Sequence, residues 1–194
     1  MSLQSKIKNE NVYGEIEIIC GSMFSGKTET IIKKIISAKE KKLKVQVFKP
    51  KLDNRYCSDK IISHDKTEIP AISVNNTNEI VKLSKDADVI AIDEVQFFNK
   101  DIVKICALLS IQGSKIILAG LDMDFLGRPF GSMPELMAIA DNVIKLHGIC
   151  EVCSEPANHT FRISENKKTI DIGEKNKYQA LCRICFNKKL SAND

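Results

Sequence analysis

The segment from Gly21 to Thr28 matches the phosphate-binding pattern G-x-x-x-x-G-K-[S/T] at every fixed position. The residues before it, 15–20, alternate and then become apolar, which predicts a short strand. The isoleucines that follow at positions 31, 32, 35 and 36 predict one apolar face of a helix. A loop between a strand and a helix N-terminus binds phosphate through backbone N–H groups, and the helix dipole favours the negative charge. The sequence therefore predicts a protein that binds a nucleoside triphosphate.

The residues of this loop have separate predicted tasks. The Lys27 amine is expected to contact the β- and γ-phosphates, and the Thr28 hydroxyl is expected to bind Mg²⁺. The other positions are expected to surround the phosphates with backbone N–H groups. The predicted nucleotide contacts in this segment are Gly21, Ser22, Met23, Phe24, Ser25, Gly26, Lys27 and Thr28.

The composition bounds the class of protein. The 194 residues suffice for one α/β domain with a small appendage, and the apolar fraction of 43% excludes wholesale disorder. The net charge of +4 is too small to indicate a nucleic-acid partner without a local basic surface. No segment has the apolar length of a membrane span, and the N-terminus lacks the layout of a signal peptide. We therefore expect a cytoplasmic protein that binds neither nucleic acid nor membrane.

Strand and helix patterns alternate along most of the chain. Further strands are predicted at 44–49, 88–92, 115–120 and 142–146, and further helices at 78–85, 101–110 and 134–141. Residues 51–70 are polar and are predicted to form a long irregular loop. This alternation predicts an α/β fold with a mostly parallel sheet, and ligands bind such sheets at the carboxyl ends of the strands.

The chain is predicted to divide into three parts. Residues 1–13 are polar and are expected to be disordered, and residues 14–148 form the phosphate-loop domain. The apolar strand patterns end near Gly148, so residues 149–194 are predicted to form a second, cysteine-containing domain. Outside its cysteine pairs, Cys20 and Cys106 are expected to be small core residues, and Cys57 is expected to be an exposed thiol.

Two carboxylates, Asp93 and Glu94, follow the apolar strand predicted at 88–92. A strand that ends in an acid beside a phosphate loop is typical of a magnesium-supporting strand. Asp93 is expected to hold Mg²⁺ through a water, which leaves Glu94 to take a proton from the attacking nucleophile. The alternative is that Asp93 caps a helix or a turn, as an aspartate after a strand often does.

Four of the seven cysteines form two C-x-x-C pairs, Cys150 with Cys153 and Cys182 with Cys185. Each pair can present two thiolates to one tetrahedral Zn²⁺, and a shell closed by four thiolates indicates a structural rather than a catalytic site. The 28 residues between the pairs must loop out. A redox pair and two disulfides are the alternatives, but neither explains two matched pairs in a cytosolic chain.

The motifs together resemble the zinc-containing thymidine kinases, the type II family. The resemblance runs through residues 14 to 187 and implies a RecA-like phosphate-loop domain that carries a small zinc-held lasso domain. It also implies transfer of the ATP γ-phosphate to the 5′-hydroxyl of thymidine, and of deoxyuridine, in nucleotide salvage. The motifs that carry the resemblance are Gly21–Thr28, Asp53–Tyr56, Ser63–Asp65, Asp93–Phe98, Gly120–Phe125, Arg128–Gly131 and the four paired cysteines.

The resemblance implies roles for individual residues. Glu94 is similar to the general base of the family, and Phe125 is similar to the residue that packs on the thymine ring. Tyr178 matches a position of the lasso that closes over the nucleoside. Without the resemblance, Phe125 would be interpreted as a core residue and Tyr178 as a surface residue. The further implied nucleotide contacts are Asp53, Asn54, Arg55, Asp93 and Gln96, and the further implied lasso contacts are Thr169, Ile170, Asp171, Ile172 and Gly173.

The resemblance also implies a homotetramer and feedback inhibition by thymidine triphosphate. Two other functions share parts of this pattern: a phosphate-loop ATPase whose zinc ribbon binds nucleic acid, and a zinc-dependent interaction module that no longer catalyses. Residues 148–194 contain eight Lys and Arg against six Asp and Glu, which does not favour a nucleic-acid-binding ribbon. Intact Lys27, Thr28, Asp93 and Glu94 disfavour the inactive module.

Overall fold

The computed structural model describes residues 14–53, 59–63, 66–163 and 177–192. The segment predicted to be disordered, residues 1–13, lies outside the described residues. The strands of the described part are β1 (Ile16–Gly21), β2 (Val45–Pro50), β3 (Lys60–Ile62), β4 (Glu68–Pro70), β5 (Ile72–Val74), β6 (Val89–Ile92), β7 (Lys115–Gly120), β8 (Asn142–Leu146), β9 (Gly148–Ile149), β10 (Pro156–Ala157), β11 (His159–Arg162) and β12 (Tyr178–Leu181). The helices are α1 (Lys27–Glu40), α2 (Thr77–Leu83), α3 (Asp101–Ile111), α4 (Met133–Ile139) and α5 (Arg183–Ser191), with one 3₁₀ turn at Val95–Phe97.

Six strands form one sheet in the order β5-β2-β6-β7-β1-β8, and every neighbouring pair in it is parallel. The phosphate-binding segment follows β1, and the carboxylates Asp93 and Glu94 follow β6; only β7 separates these two strands. The carboxyl ends of parallel strands meet at the same edge of a sheet. The phosphate-binding segment and the two carboxylates therefore lie at one edge, and the predicted α/β fold is confirmed.

Helices cover both faces of this sheet. On one face, Ile31 and Ile35 of α1 pack in a core with Ile19 of β1. On the other face, α2, α3 and α4 pack in a second core that includes Ile18 of β1. Each fully buried side chain of this size stabilises the fold by about 1.5–3 kcal/mol. Ile36, predicted on the apolar face of α1, is 38% exposed because it lies at the margin of the buried stripe.

Two features between residues 60 and 74 differ from the sequence prediction. Residues 51–70, predicted to be an irregular loop, contain the antiparallel hairpin of β3 and β4, in which Ile61 pairs with Ile69. Both isoleucines pack in the core on the α1 side of the sheet, and this burial holds the hairpin. The edge strand β5 was also not predicted. Strands of three residues are too short to show an alternating pattern.

The cysteine-containing tail has more regular structure than predicted. The sequence analysis assigned no strands after Gly148, but β9 pairs with β10 and β11 pairs with β12. All four residues of β11 are buried, so this strand shows no alternation in the sequence. Phe161 and Phe186 join two of the paired cysteines, Leu181 and two alanines in a small separate core, against which Cys185 packs. No helix in the described part of the chain is both long and apolar enough to cross a bilayer.

Candidate functional site

The phosphate-binding segment forms a tight loop between β1 and α1. Gly26, directly before α1, has a φ of 84°, a left-handed conformation that glycine adopts without steric cost. The Lys27 Nζ donates a hydrogen bond of 2.7 Å to the carbonyl oxygen of Ser22, so the amine lies across the loop. The first N–H groups of a helix have no partner within the helix, so the loop and the start of α1 together can bind an anion.

The structure brings Thr28 of α1 next to Asp93, 65 residues later in the chain. The Thr28 hydroxyl donates a hydrogen bond of 3.3 Å to Oδ2 of Asp93, whose residue is 5% exposed. A hydroxyl and a carboxylate are oxygen ligands of the kind that Mg²⁺ prefers. This pair of oxygens beside the phosphate loop fits the predicted magnesium site.

Glu94, the predicted general base, has an unusual backbone conformation. Its φ of 53° and ψ of 40° are left-handed, which costs a non-glycine residue about 1–2 kcal/mol. Its backbone N–H donates a hydrogen bond of 2.9 Å to Oδ1 of Asp93, which holds the turn. Strain of this kind concentrates at functional sites. The conformation keeps Glu94 buried at the carboxyl edge of the sheet beside the Asp93–Thr28 pair.

Gln96 contacts Glu94 directly. The Gln96 Nε2 donates a hydrogen bond of 2.6 Å to Oε2 of Glu94, and the Gln96 Oε1 accepts one of 3.0 Å from the backbone N–H of Leu121. Glycine at position 120 makes room for this amide, because a Cβ there would lie 2.6 Å from the Gln96 Oε1. The family resemblance implied that Gln96 contacts the nucleotide, and that role stays a prediction. The contact with Glu94 was not predicted, because no pattern in a sequence links a glutamine to the carboxylate two residues before it.

The predicted contacts that follow β2 are described only in part. Asp53 is buried, and its backbone N–H donates a hydrogen bond of 3.0 Å to the carbonyl oxygen of Pro50 at the end of β2. Because β2 is parallel to β6 and next to it, Asp53 lies at the same sheet edge as Asp93. Asn54, Arg55 and the lasso contacts predicted at 169–173 lie outside the described residues.

The two predicted nucleoside contacts, Phe125 and Tyr178, come together around an arginine that the sequence analysis missed. Arg162 ends β11 and is paired with Tyr178 of β12. Its guanidinium donates hydrogen bonds to the Tyr178 hydroxyl oxygen, 3.2 Å from Nε and 2.9 Å from Nη2. The guanidinium carbon lies 3.7 Å from the centroid of the Phe125 ring. The sequence contained one indication of this arginine's role: it stands next to an aromatic residue in a short strand.

The four paired cysteines form one cluster, as predicted. The Sγ atoms of Cys150, Cys153, Cys182 and Cys185 all lie within 4.8 Å of one another. The Sγ of Cys153 is 3.6 Å from those of Cys182 and Cys185, which is too long for a disulfide. Tetrahedral zinc with bonds of about 2.3 Å separates its sulfur ligands by roughly 3.8 Å. The cluster is therefore compatible with a structural zinc ion.

The thiols of this cluster differ in how readily they ionise. Burial opposes the charged form of Cys150, yet hydrogen bonds from backbone N–H groups of residues 182, 152 and 153 lower its pKa to about 6. Desolvation, together with hydrogen bonds from the neighbouring thiols, raises the pKa of Cys185 to about 12. Four thiolates at this spacing repel one another, so a bound cation is needed to hold all four in the charged form.

The tail holds the phosphate-binding loop. The Met23 backbone N–H donates a hydrogen bond of 2.9 Å to Oγ1 of Thr160 in β11, and the Ser22 hydroxyl donates one of 3.2 Å to the Ala157 carbonyl oxygen. Phe24 packs against the small core that contains the cysteines. The sequence placed loop and tail in separate predicted domains and gave no signal of this contact. A change in the tail can therefore alter the phosphate-binding loop.

Two buried cysteines and a buried histidine lie outside the cluster. Burial raises the pKa of the Cys20 thiol to about 11 and that of Cys106 to about 12, which fits their predicted role as core residues. His159 of β11 stacks on Phe186, with ring centroids 4.5 Å apart. Burial, together with the nearby charges of Arg183 and Lys145, lowers the pKa of His159 below its ordinary 6.5.

Known proteins resemble this chain over most of its length. A family model described as thymidine kinase matches residues 14–186. The thymidine kinase of Rhodothermus sp. (strain ITI 518) is 43% identical over 173 residues, which cover 89% of this chain and 81% of that protein. The thymidine kinases of Porphyromonas gingivalis and Bacteroides thetaiotaomicron are 45% and 44% identical, over 90% and 89% of this chain and 86% and 87% of those proteins. The chain therefore belongs to the thymidine kinase family.

Proposed function

We propose that this protein transfers the γ-phosphoryl group of ATP to the 5′-hydroxyl of thymidine, and of deoxyuridine, to supply nucleoside monophosphate in nucleotide salvage. Membership of the thymidine kinase family supports the donor and the acceptor. The observation that carries the mechanism is the position of Glu94. This carboxylate lies at the carboxyl edge of the sheet, directly after the Asp93 that contacts Thr28, and Gln96 holds it by a hydrogen bond.

In the proposed reaction, Glu94 takes the proton of the 5′-hydroxyl as that oxygen attacks the γ-phosphorus. General base catalysis of this kind typically contributes about 10²–10⁴-fold to the rate. Phosphoryl transfer otherwise depends on positioning and on stabilising negative charge. The loop N–H groups and the Lys27 amine supply that stabilisation, and the neighbouring positions Asp53, Asn54 and Arg55 are proposed to contact the nucleotide.

Thr28 and Asp93 are the residues that would hold the metal ion of the ATP complex. Their side-chain oxygens are 3.3 Å apart, next to the phosphate loop. When bound there, Mg²⁺ would neutralise charge on the phosphate oxygens. The hydrogen bond between Thr28 and Asp93 joins the start of α1 to the end of β6.

The tail is proposed to be the nucleoside lid, held by a structural zinc ion on the four cysteines. Residues 169–173 and Tyr178 are proposed to close over the nucleoside, and Phe125 is proposed to pack on the base. A lid has a chemical purpose in a kinase, because water must not replace the sugar hydroxyl as the nucleophile. Recognition of the base by backbone groups of the lid would favour thymine and uracil. The cytosine amino group would instead face donors, which costs an unpaired buried polar group.

We extend the proposal to regulation and assembly on the basis of family membership. The product of the pathway, thymidine triphosphate, is proposed to occupy the nucleoside and phosphate sites together and inhibit the enzyme. The active form is proposed to be a cytoplasmic homotetramer.

One assay tests the proposed activity. ATP consumption and nucleoside monophosphate formation are measured with thymidine, deoxyuridine and deoxycytidine, with single-stranded DNA, and without any acceptor. We expect product with thymidine and deoxyuridine, and a kcat/KM for deoxycytidine at least ~10²-fold lower. ATP hydrolysis that single-stranded DNA stimulates, without nucleoside monophosphate, would instead identify an ATPase.

Two lysines of α1 provide matched variants for this assay. Lys27→Ala should abolish turnover, because it removes the amine beside the phosphate loop. Lys33→Ala removes an amine from the same helix that forms an exposed ion pair with Glu29, at 2.6 Å. Exposed pairs of this kind contribute little, so this control should retain wild-type turnover.

A further inference from the structure

Residues 121–132 join β7 to α4, and this β7–α4 loop contacts Gln96 at both of its ends. At the first end, the Leu121 backbone N–H donates a hydrogen bond of 3.0 Å to the Gln96 side chain. At the second end, Gly131 lies against the Gln96 backbone. A Cβ on Gly131 would lie 2.3 Å from the Gln96 carbonyl oxygen, so this close approach requires glycine. Both ends of the loop therefore lie on the residue that holds the proposed general base.

The middle of the β7–α4 loop packs on the cysteine-containing tail. Gly127 has a φ of 74° and lies against α5: a Cβ on this glycine would be 3.2 Å from Cε1 of Phe186 and 3.5 Å from Cδ2 of His159. Phe186 packs in the same small core as Cys150 and Cys182. The loop is thus in contact with the core of the tail at its middle and with the residue that holds the base at its ends.

Asp124 closes the turn between these two sets of contacts. Its Oδ1 accepts hydrogen bonds from the backbone N–H groups of Leu126 and Arg128, both at 2.9 Å. Its backbone N–H donates to the Arg128 carbonyl oxygen at 2.8 Å, and its carbonyl oxygen accepts from the Gly127 N–H at 3.0 Å. Such a side chain supplies the backbone groups of a turn with the partner that they lack outside a helix or strand. One carboxylate therefore determines the shape of the turn that carries Gly127.

We infer that Asp124 is a positioning residue for the proposed general base and that it acts through Gln96. By closing its turn, Asp124 fixes the β7–α4 loop between the tail and the 3₁₀ turn, and the first residue of the loop presents the Leu121 N–H to the Gln96 amide. Packing of the tail on the loop thereby contributes to the position of the Glu94 carboxylate. This inference rests on the proposed role of Glu94. It requires no contact between Asp124 and a substrate.

The first test compares two substitutions of Asp124. Asp124→Ala removes the acceptor of the two N–H groups, and it should lower the kcat for thymidine phosphorylation about three- to tenfold, with the ATP dissociation constant within about twofold of wild type. Asp124→Asn keeps the Oδ1 acceptor and should restore most of the kcat that Asp124→Ala loses. Equal kcat values in the two variants would overturn the inference.

A double-mutant cycle with Gln96→Met separates action through Gln96 from a general structural role. If Asp124 acts through Gln96, the kcat of Asp124→Ala/Gln96→Met should be close to that of Gln96→Met alone. Multiplied losses of kcat would overturn the role of Asp124 and leave the role of Glu94 intact. A Glu94→Gln variant with a kcat near that of wild type would instead contradict the proposed function on which the inference rests.

The thermal unfolding midpoint and the zinc content of each variant are measured as folding controls. If Asp124→Ala does not fold, the same cycle is run with Asp124→Ser, which keeps one acceptor oxygen on a shorter side chain and for which the predicted coupling with Gln96→Met has the same sign. Multiplied losses in that cycle would overturn the inference in the same way.

Discussion

Gln96 orients the proposed general base: its Nε2 donates a 2.6 Å hydrogen bond to Oε2 of Glu94, while its Oε1 accepts one from the Leu121 backbone N–H. The Leu121 N–H can only donate, so the amide of Gln96 cannot turn over without losing both bonds. The backbone after β7 thereby determines which end of the amide faces the carboxylate. Glu94 is held by its strained turn and by Gln96, and the backbone N–H that follows β7 holds Gln96.

Loss of this contact is expected to slow the reaction more than it weakens binding. Gln96→Met keeps the size of the side chain and removes both amide groups, so we predict a kcat lower by about tenfold, with smaller changes in the KM values. Steady-state kinetics with varied ATP and varied thymidine measure both effects. Gln112→Met, at the exposed end of α3, is the surface control. A kcat equal to that of the control would remove Gln96 from this role.

Most of the described elements from β1 to β8 could be predicted because their signals are local. The phosphate-loop pattern, the apolar strands and the helical spacing of Ile102, Ile105, Cys106 and Leu109 each lie within one segment, and all four side chains on α3 are buried. The four-cysteine cluster was predictable for the same reason, because each pair has its own spacing. The strands β3, β4, β5, β9, β10, β11 and β12 were missed because each has only two to four residues, too few to show a pattern. In β11 all four residues are also buried, which removes any alternation.

The contacts between segments could not be predicted from one sequence. The hydrogen bond from the Met23 N–H to Thr160 joins residues 137 positions apart, and the guanidinium of Arg162 meets Phe125 from a different element. Such contacts depend on how β11 lies against the phosphate-binding loop. Neither the spacing of residues nor the composition of the chain predicts that arrangement.

Removal of one proposed zinc ligand should unfold the tail first. Zinc binding to a site of four thiolates supplies about 10–16 kcal/mol of folding free energy, so Cys182→Ser should lose zinc and nucleoside binding together. Metal analysis should find one zinc ion per chain in the wild-type protein and much less in the variant. Cys57→Ser, which changes a cysteine of neither C-x-x-C pair, should keep its zinc. Fully active protein without zinc would contradict the proposed lid.

The hydrogen bond between the tail and the phosphate-binding loop gives a second prediction about the tail. Thr160→Val keeps the shape of the side chain and leaves the Met23 N–H without its acceptor, which costs about 1–3 kcal/mol when the group is buried. We expect a lower unfolding midpoint and an ATP KM raised several-fold. Thr160→Ser restores the acceptor oxygen and should behave almost as wild type. Equal ATP KM values in the two variants would show that the loop does not depend on this contact.

His159 predicts a pH dependence of stability. Its pKa is lowered in the folded protein by burial and by the charges of Arg183 and Lys145, so the unfolded chain takes up the proton first as the pH falls. The free energy of unfolding should therefore decrease as the pH falls below about 6.5, and the loss should end below the folded pKa. His159→Phe keeps the aromatic stacking on Phe186 and removes the titration. Denaturant unfolding between pH 8 and pH 5 should give a flatter profile for this variant, and parallel profiles would contradict the assignment.

The role of Glu94 is the central claim, and its substitution by glutamine tests it most directly. Glu94→Gln keeps the size of the side chain and removes the group that accepts the proton of the 5′-hydroxyl. We predict a kcat for thymidine phosphorylation lower by about 10²–10⁴-fold, with ATP and thymidine dissociation constants, measured by calorimetry, within about threefold of wild type. A variant that binds both substrates and keeps a kcat within about fivefold of wild type would contradict the claim.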